Sequence, residues 1–547
     1  MAEQVPWRET MRRRLRTESF DVAIIGGGIT GAGIARDAAL RGLRVALLEA
    51  RDFASGTSSR SSRLIHGGVR YLEHGHLRLV FESSRERRVL LRIAPHLVRP
   101  LAFTWPVYRA ARVSRTRLSL GLGLYDVLSM FRNVARHERL SRDEVLLNEP
   151  DLQAEDLLGG ARYFDAATDD ARLTLANVIA AVESGAAVLN YAPVDRLESV
   201  ARRARGLRVN DQDAGDAFVV RARTIINATG PWSDDIRALE TGVVEQSVAG
   251  SRGAHIAVPR ARVGNRGAVT MLHPLDGRVL FALPAGEQAI IGTTEAPTRP
   301  SDRESRATRD EVQYLLSAAN TYFPAAMLKP ADVLASWSGI RPLARQLAPD
   351  DVGSASREHT IARGPKGVVH VTGGKLTTYR EMAAQVVDLV AGPEAAAERT
   401  MLVPLPGGEK SLGDVRAAAA EVIADEGVRD RLVQAFGTRW GEVWSLGERD
   451  RALRERISPR HPVIGAELVY SVTREMAVTL GDLLIRRTHL AFESPDQARS
   501  LAPVVAGLLA KVSGRDEPGL DRVLSNYEEE VQRVFAIDPG SEHSLGR

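Results

Sequence analysis

Several short stretches of this chain bring together side chains that could do chemistry. Gly26, Gly28 and Gly31 form a G-x-G-x-x-G pattern. The first glycine of such a pattern allows a tight turn, the second lets backbone approach a pyrophosphate, and the third lets a helix pack on a strand. Glu49 follows 18 residues after Gly31, where a carboxylate can accept from ribose hydroxyls. Together they point to a dinucleotide without saying which one. Residues 57–73, TSSRSSRLIHGGVRYLE, mix the hydroxyls of Thr57, Ser58, Ser59, Ser61 and Ser62 with His66, Arg70 and Tyr71. This density suits a loop wrapped around a cofactor; a solvated loop is the plainer alternative.

Residues 373–380, GGKLTTYR, resemble a phosphate loop only superficially. A Walker pattern needs glycine at 369, where valine stands. A strand running into a helix start could instead aim its dipole at an anionic ring edge. Lys375 lies in that turn, though a solvated lysine beside a helix end would look the same. Arg341, in WSGIRPL, precedes Pro342 on a stiff backbone. A guanidinium so placed suits phosphate or carboxylate, and also an ordinary structural ion pair. His255, in SRGAHIAVPR, is a lone histidine in a β segment, either a base or a core residue. HExxH, EF-hand and G-x-S-x-G patterns are absent, so no metal is expected.

The chain of 547 residues has no cysteine. That excludes a disulfide frame, a thiol nucleophile, Cys-bound zinc and Cys-held clusters. Redox work would then need a bound organic cofactor and an external acceptor. Of 73 basic residues only Lys329, Lys366, Lys375, Lys410 and Lys511 are lysine, and the net charge is +4. So small a balance argues against a nucleic-acid protein but allows a local basic patch. No run reaches the roughly 18 apolar residues of a membrane span. Residues 1–20 lack the apolar core of a secretory signal and suggest a solvated arm.

Elements must position these groups. FDVAII (20–25) suggests a buried strand, 29–41 a helix, and LRVALLE (43–49) a second strand, making a β-α-β unit. Residues 76–94 have helical spacing. TIINATGPW (224–232) suggests a strand ending in a glycine turn. Alternating segments between 252 and 294 suggest an antiparallel sheet, and 368–390 a strand, turn and helix. PLPGGEKSLGD (404–414) suggests a linker, after which the chain looks helical, as in 474–487.

DVAIIGGGITGAGIARDAALRG, TSSRSSRLIHGGVRYLEHG, DDARL (169–173), NATGPW (227–232), SGIRPL (338–343) and GGKLTTYR together resemble the FAD-dependent glycerol-3-phosphate dehydrogenases. The resemblance runs from about Asp21 to Met382, with a weaker similarity over 470–488. It implies an α/β flavoprotein of the D-amino-acid-oxidase type, with a Rossmann-type FAD domain, an antiparallel-sheet substrate domain and a C-terminal helical domain. The oxidoreductase region would span 18–400, with FAD segments near 18–98, 160–250 and 335–400. Substrate or cap segments would lie near 99–159 and 251–334, and the helical domain over 401–547. The glycine stretches near 26, 230 and 373 would surround one FAD.

On this resemblance Gly26, Gly28, Gly31 and Gly230 hold the cofactor, Glu49 its ribose, and Thr57, Ser58, Ser59, Ser61 and Ser62 its phosphates and flavin. Gly374, Lys375, Leu376 and Thr377 would place a helix start at the flavin's pyrimidine edge. Arg341, Arg70, Tyr71 and Lys375 align with the phosphate end of the substrate, His255 with the base, and His66 with a histidine near the flavin. The implied reaction oxidises sn-glycerol 3-phosphate to dihydroxyacetone phosphate and passes electrons to a membrane quinone. An oxygen-using oxidase, an amine oxidase of the same fold and a non-catalytic basic binding protein are the alternatives. Residues 99–131, rich in Arg with Trp105 and Tyr108, suggest peripheral contact with anionic lipid. Cytoplasmic placement on the inner face of the plasma membrane and a homodimer complete the expectation, with no nucleic-acid partner.

Overall fold

Three apolar runs, each cut short by a glycine turn, become neighbouring parallel strands. They are Ser19–Ile25, Asp216–Asn227 and Val369–Thr372. Ile25 lies opposite Asn227, and Ile226 opposite Val369. Val45–Leu48 and Ala187–Leu189 extend the sheet on the far side. Parallel strands covered on both faces need unbroken apolar sequence, which VALL and AVL supply. Because these strands run the same way, the turns after Ile25, Asn227 and Thr372 emerge along one edge. This is a computed structural model, and it describes residues 7–68, 77–109, 113–128, 135–244, 247–298, 304–344, 359–514 and 519–539.

Helices Ile29–Leu40, Asp170–Glu183 and Tyr379–Val390 cover one face. Small residues let them approach: a Cβ on Gly33 would lie 2.8 Å from the Tyr379 ring. The other face is covered partly by the helix Trp7–Thr17, so the expectation of a solvated arm there fails. Met11 and Leu15 are buried, and Arg8 donates to the Asn190 side chain at 2.5 Å. The run of arginines had hidden the i, i+4, i+8 spacing of Trp7, Met11 and Leu15.

The segments between 252 and 294 form Val248–Pro259, Ala268–Leu272, Val279–Ala285 and Gln288–Gly292 in a ten-stranded, mostly antiparallel sheet. The strand Ala335–Ala344 pairs with Val248–Pro259 from Val248 to Ala257. The stretch 99–131 departs from a surface reading. Val98–Tyr108 is an interior strand, and Trp105 is buried opposite Ala161. Helix Arg115–Leu128 turns Leu118, Leu122 and Tyr125 inward, leaving Leu120, Leu124 and Val127 exposed.

The C-terminal region packs its helices, including Gly465–Thr473, Ala502–Ser513 and Leu520–Phe535, against the second sheet. It also contains a hairpin, Arg456–Ser458 with His461–Ile464. The helix expected over 474–487 is instead an irregular turn followed by a single π-helical segment, Asp482–Arg487. A regular α-helix would place consecutive side chains about 100° apart. Here Arg486 Nε and Arg487 Nη1 both reach Asp52 Oδ2, at 2.7 and 2.8 Å. Asp52 is fully buried in the loop after Val45–Leu48, and Asn190 also donates to it at 3.1 Å. Burial alone would raise its pKa; the two guanidinium groups outweigh that and hold it below the ordinary value. Asp52→Ala would take from Arg487 its close carboxylate partner, while Arg486 keeps Asp482 and Glu530, and should destabilise the fold by about 3–5 kcal/mol in denaturant titration. An unchanged midpoint would show that this junction carries no stability.

Candidate active site

The strand ends of the first sheet and one face of the second border a single cavity of about 1020 Å³. At its first end, Gly26 has φ +106°, and a Cβ there would strike Ala228 O at 2.7 Å. Gly31 packs on Gly26 O, where a Cβ would come within 1.9 Å, so it shapes the turn without lining the cavity. Gly28 does face the cavity, and its only close neighbour would be Ser58 Oγ at 3.2 Å. No side chain caps the helix from Gly28. Ser58 Oγ accepts from Ile29 N–H at 2.9 Å and keeps its own proton to donate. Glu49 accepts from Gly27 N–H at 2.6 Å and Arg51 N–H at 2.8 Å. Burial raises its pKa, and those two amides pull it back. A glycine cradle, a helix start and a carboxylate at a strand end fit the diphosphate and ribose of a dinucleotide.

Thr57, Ser58, Ser61, Ser62, His66, Gly230, Gly374, Lys375, Leu376 and Thr377 line the same cavity; Ser59 is buried away from it. Arg70 and Tyr71 lie outside the described residues. Most of the loop hydroxyls have protein partners. Thr57 donates to Ile340 O at 2.7 Å and Ser61 to Asp170 Oδ2 at 2.7 Å. His66 N–H donates to Thr377 Oγ1 at 3.2 Å, tying the two motifs together. The helix start expected at 374–377 is a tight 3-10 turn, Leu376–Thr378, leading into Tyr379–Val390.

At the second end, paired strands set His255 opposite Trp337, Gly253 opposite Gly339, and Ser251 opposite Arg341. Opposed residues share a face, so two glycines form a floor between the imidazole and the guanidinium. Four residues of strand separate the two Cα positions by about 13 Å. Arg341 closes the gap by folding back: a Cβ on Gly253 would lie 2.6 Å from its Nη2, which donates to Thr293 Oγ1 at 3.2 Å. Gly292 clears room for the imidazole, since a Cβ there would lie 2.2 Å from His255. His255 stacks on Trp337, with ring centres 5.4 Å apart and planes at 12°. Its Nε2 is 2.8 Å from Ser62 Oγ. Burial, then Arg341 and Arg63, push its pKa down to about 3, so the imidazole is neutral. Ser62 thus links the 57–62 loop to His255. Sequence reasoning passed over Gly253, Gly292, Thr293 and Trp337; the glycine two residues before His255 was the visible signal.

A third arm of the cavity is apolar, lined by Phe103, Trp105, Leu118, Leu122, Tyr163 and Phe281. Among the described residues no helix is long and apolar enough to cross a membrane.

Residues 21–389 match the family model of FAD dependent oxidoreductases, and 398–518 match that of the C-terminal domain of alpha-glycerophosphate oxidase. The chain is 37% identical over 527 residues to a glycerol-3-phosphate dehydrogenase of Mycobacterium leprae, covering 95% of this chain and 89% of that one. It is 33% identical over 546 residues to an aerobic glycerol-3-phosphate dehydrogenase of Staphylococcus haemolyticus, covering 96% and 95%. Its fold is similar to a solved glycerol-3-phosphate dehydrogenase of Bacillus halodurans complexed with FAD. That match has a TM-score of 0.80 at 30% identity and covers 98% of both chains.

Proposed function

From the premise that this chain belongs to the FAD-dependent glycerol-3-phosphate dehydrogenase family, we propose that it oxidises sn-glycerol 3-phosphate to dihydroxyacetone phosphate and delivers the electrons to a membrane quinone. The observation that carries the substrate reading is the pairing of a neutral, buried His255 with a guanidinium across a glycine floor. Such a floor suits a short chain with a phosphate at one end and a secondary alcohol at the other. Bound FAD supplies the hydride acceptor. Arg341 holds the phosphate, with Lys375, Arg70 and Tyr71 assigned to the same end by the resemblance. His255 takes the hydroxyl proton, and stacking on Trp337 fixes the plane in which its nitrogens point. His66 stands by the flavin. Gly26, Gly28 and Glu49 hold the diphosphate and ribose, with Ser58 closing the helix start. Burial depresses His255 first and Arg341 second; a phosphate dianion beside Arg341 offsets the second of these, so the substrate strengthens its own base.

The apolar arm supports a lipophilic acceptor. The exposed Leu120, Leu124 and Val127, flanked by Arg115 and Arg117, support a peripheral seat on the inner face of the plasma membrane. One anaerobic experiment tests both steps. Glycerol 3-phosphate should bleach the flavin absorbance, and quinone embedded in anionic vesicles should restore it faster than oxygen does. Replacing Leu120 and Leu124 by Asp should leave bleaching unchanged. It should slow restoration by the vesicles roughly tenfold or more, from about 1 kcal/mol or more of apolar transfer lost at each position. Failure to bleach would sink the substrate reading. Faster restoration by oxygen would make the protein an oxidase.

A further inference from the structure

Arg60 is the one cation of the TSSRSS loop, and it lines the cavity. Its neighbours in the loop mark out where it stands. Ser58, two residues before it, meets the helix start at Ile29; Ser62, two residues after it, meets His255. The backbone is pinned between them. Arg60 N–H donates to Thr57 O at 3.1 Å, and a Cβ on Gly339 would come within 2.8 Å of Arg60 O. The Arg60 backbone is therefore pinned between the glycine cradle and His255, and its side chain lines the cavity there.

The loop hydroxyls of Thr57, Ser58, Ser61 and Ser62 all have protein partners. Arg60 has none: among the described residues no acceptor lies within hydrogen-bonding distance of its guanidinium and no carboxylate within ion-pairing distance. The nearest charged groups are mostly like-charged. Arg533, Arg486 and Arg51 repel it, and Glu530 attracts it. The carboxylates close by are committed elsewhere. Glu304 pairs with Arg51 at 2.9 Å, and Glu530 with Arg486 at 2.6 Å. Burial, followed by Arg533, pulls the Arg60 pKa down to about 10. A partly exposed cation in a cavity wall, beside other cations and with no carboxylate committed to it, is open to a bound anion.

We infer that Arg60 is a ligand for the diphosphate of bound FAD, supplying the positive side chain that the glycine cradle itself lacks. The inference rests only on flavin occupying this cavity. It needs neither the base nor the acceptor assigned above. A guanidinium suits the task because two of its N–H groups can meet phosphate oxygens together.

The test is the release of FAD from the holoenzyme on dilution, followed by recovery of flavin fluorescence at low and at high ionic strength. The wild type should release FAD faster as salt rises. Arg60→Gln should release it roughly 10- to 100-fold faster at low salt, the range for a lost hydrogen bond to a charged group. It should also lose most of the salt dependence, which a merely structural role would not remove. Its thermal midpoint with excess FAD should fall by no more than the weaker FAD binding accounts for, because removing Arg60 also removes repulsion from Arg51, Arg486 and Arg533. If Arg60→Gln does not accumulate as folded holoenzyme, Arg60→Lys serves in its place: the salt dependence should persist while release is a few-fold faster. Unchanged release together with a raised KM for glycerol 3-phosphate would assign the anion to the substrate and overturn the inference. Unchanged release and unchanged KM would overturn it outright.

Discussion

Arg341→Ala should lower kcat/KM for glycerol 3-phosphate by roughly 30- to several-thousand-fold, from about 2–5 kcal/mol lost when a buried charged contact is broken. The geometry explains so large an expectation. Arg341 reaches over Gly253 to Thr293, so its guanidinium is already placed before substrate arrives, and little is spent in ordering it. Arg341→Lys should recover part of the loss, because a point charge remains while the flat two-pronged donor does not. Stopped-flow bleaching of the flavin over a range of substrate concentrations separates binding from chemistry. Near-normal kcat/KM for the alanine variant would remove Arg341 from the site.

His255→Ala should slow flavin reduction by roughly 100- to 10,000-fold while FAD remains bound, the usual contribution of a positioned general base. Its pH behaviour gives a second handle. The imidazole is pushed down to about 3, so in the free enzyme it stays unprotonated well below the ordinary value of about 6.5. The acid limb of kcat/KM due to this group should therefore lie far below pH 6.5. In the substrate complex the phosphate offsets the repulsion from Arg341, so the acid limb of the reduction rate should move to higher pH. Both limbs should vanish in His255→Ala. A reduction rate equal to wild type would end the case for His255 as the base.

Much of this architecture was legible in local sequence. FDVAII, GGGITG and Glu49 announce a strand, turn and carboxylate through short-range rules, and those rules hold because parallel strands need unbroken apolar runs. The alternating segments between 252 and 294 were legible for the same reason, since one period of two describes a half-buried strand. The misses share a different cause. Trp105 looks like an interface residue from its neighbours, yet its strand is flanked on both sides, which only long-range pairing decides. Helical periodicity in 474–487 was overridden by two consecutive arginines competing for one buried carboxylate. Gly253 and Gly292 carry no side chain, so no scan for reactive side chains could single them out. What makes the site here is partly the absence of Cβ atoms, and absence is hard to see in a string of letters.

The glycine floor has a consequence for how this enzyme can fail. His255 and Arg341 belong to different strands and meet only because Gly253 faces Gly339. Sliding one strand by a single residue would invert its alternation and send one of the two side chains to the opposite face. No intermediate spacing is available, so the site is either assembled or absent. The glycine cradle after Ser19–Ile25 depends on other strands, and where Val248–Pro259 is the strand that slips it need not notice. Misfolded molecules of this kind would be as yellow as active ones. For this protein, flavin content therefore measures how much chain has loaded cofactor, while only the fraction of that flavin bleached by substrate counts working enzyme.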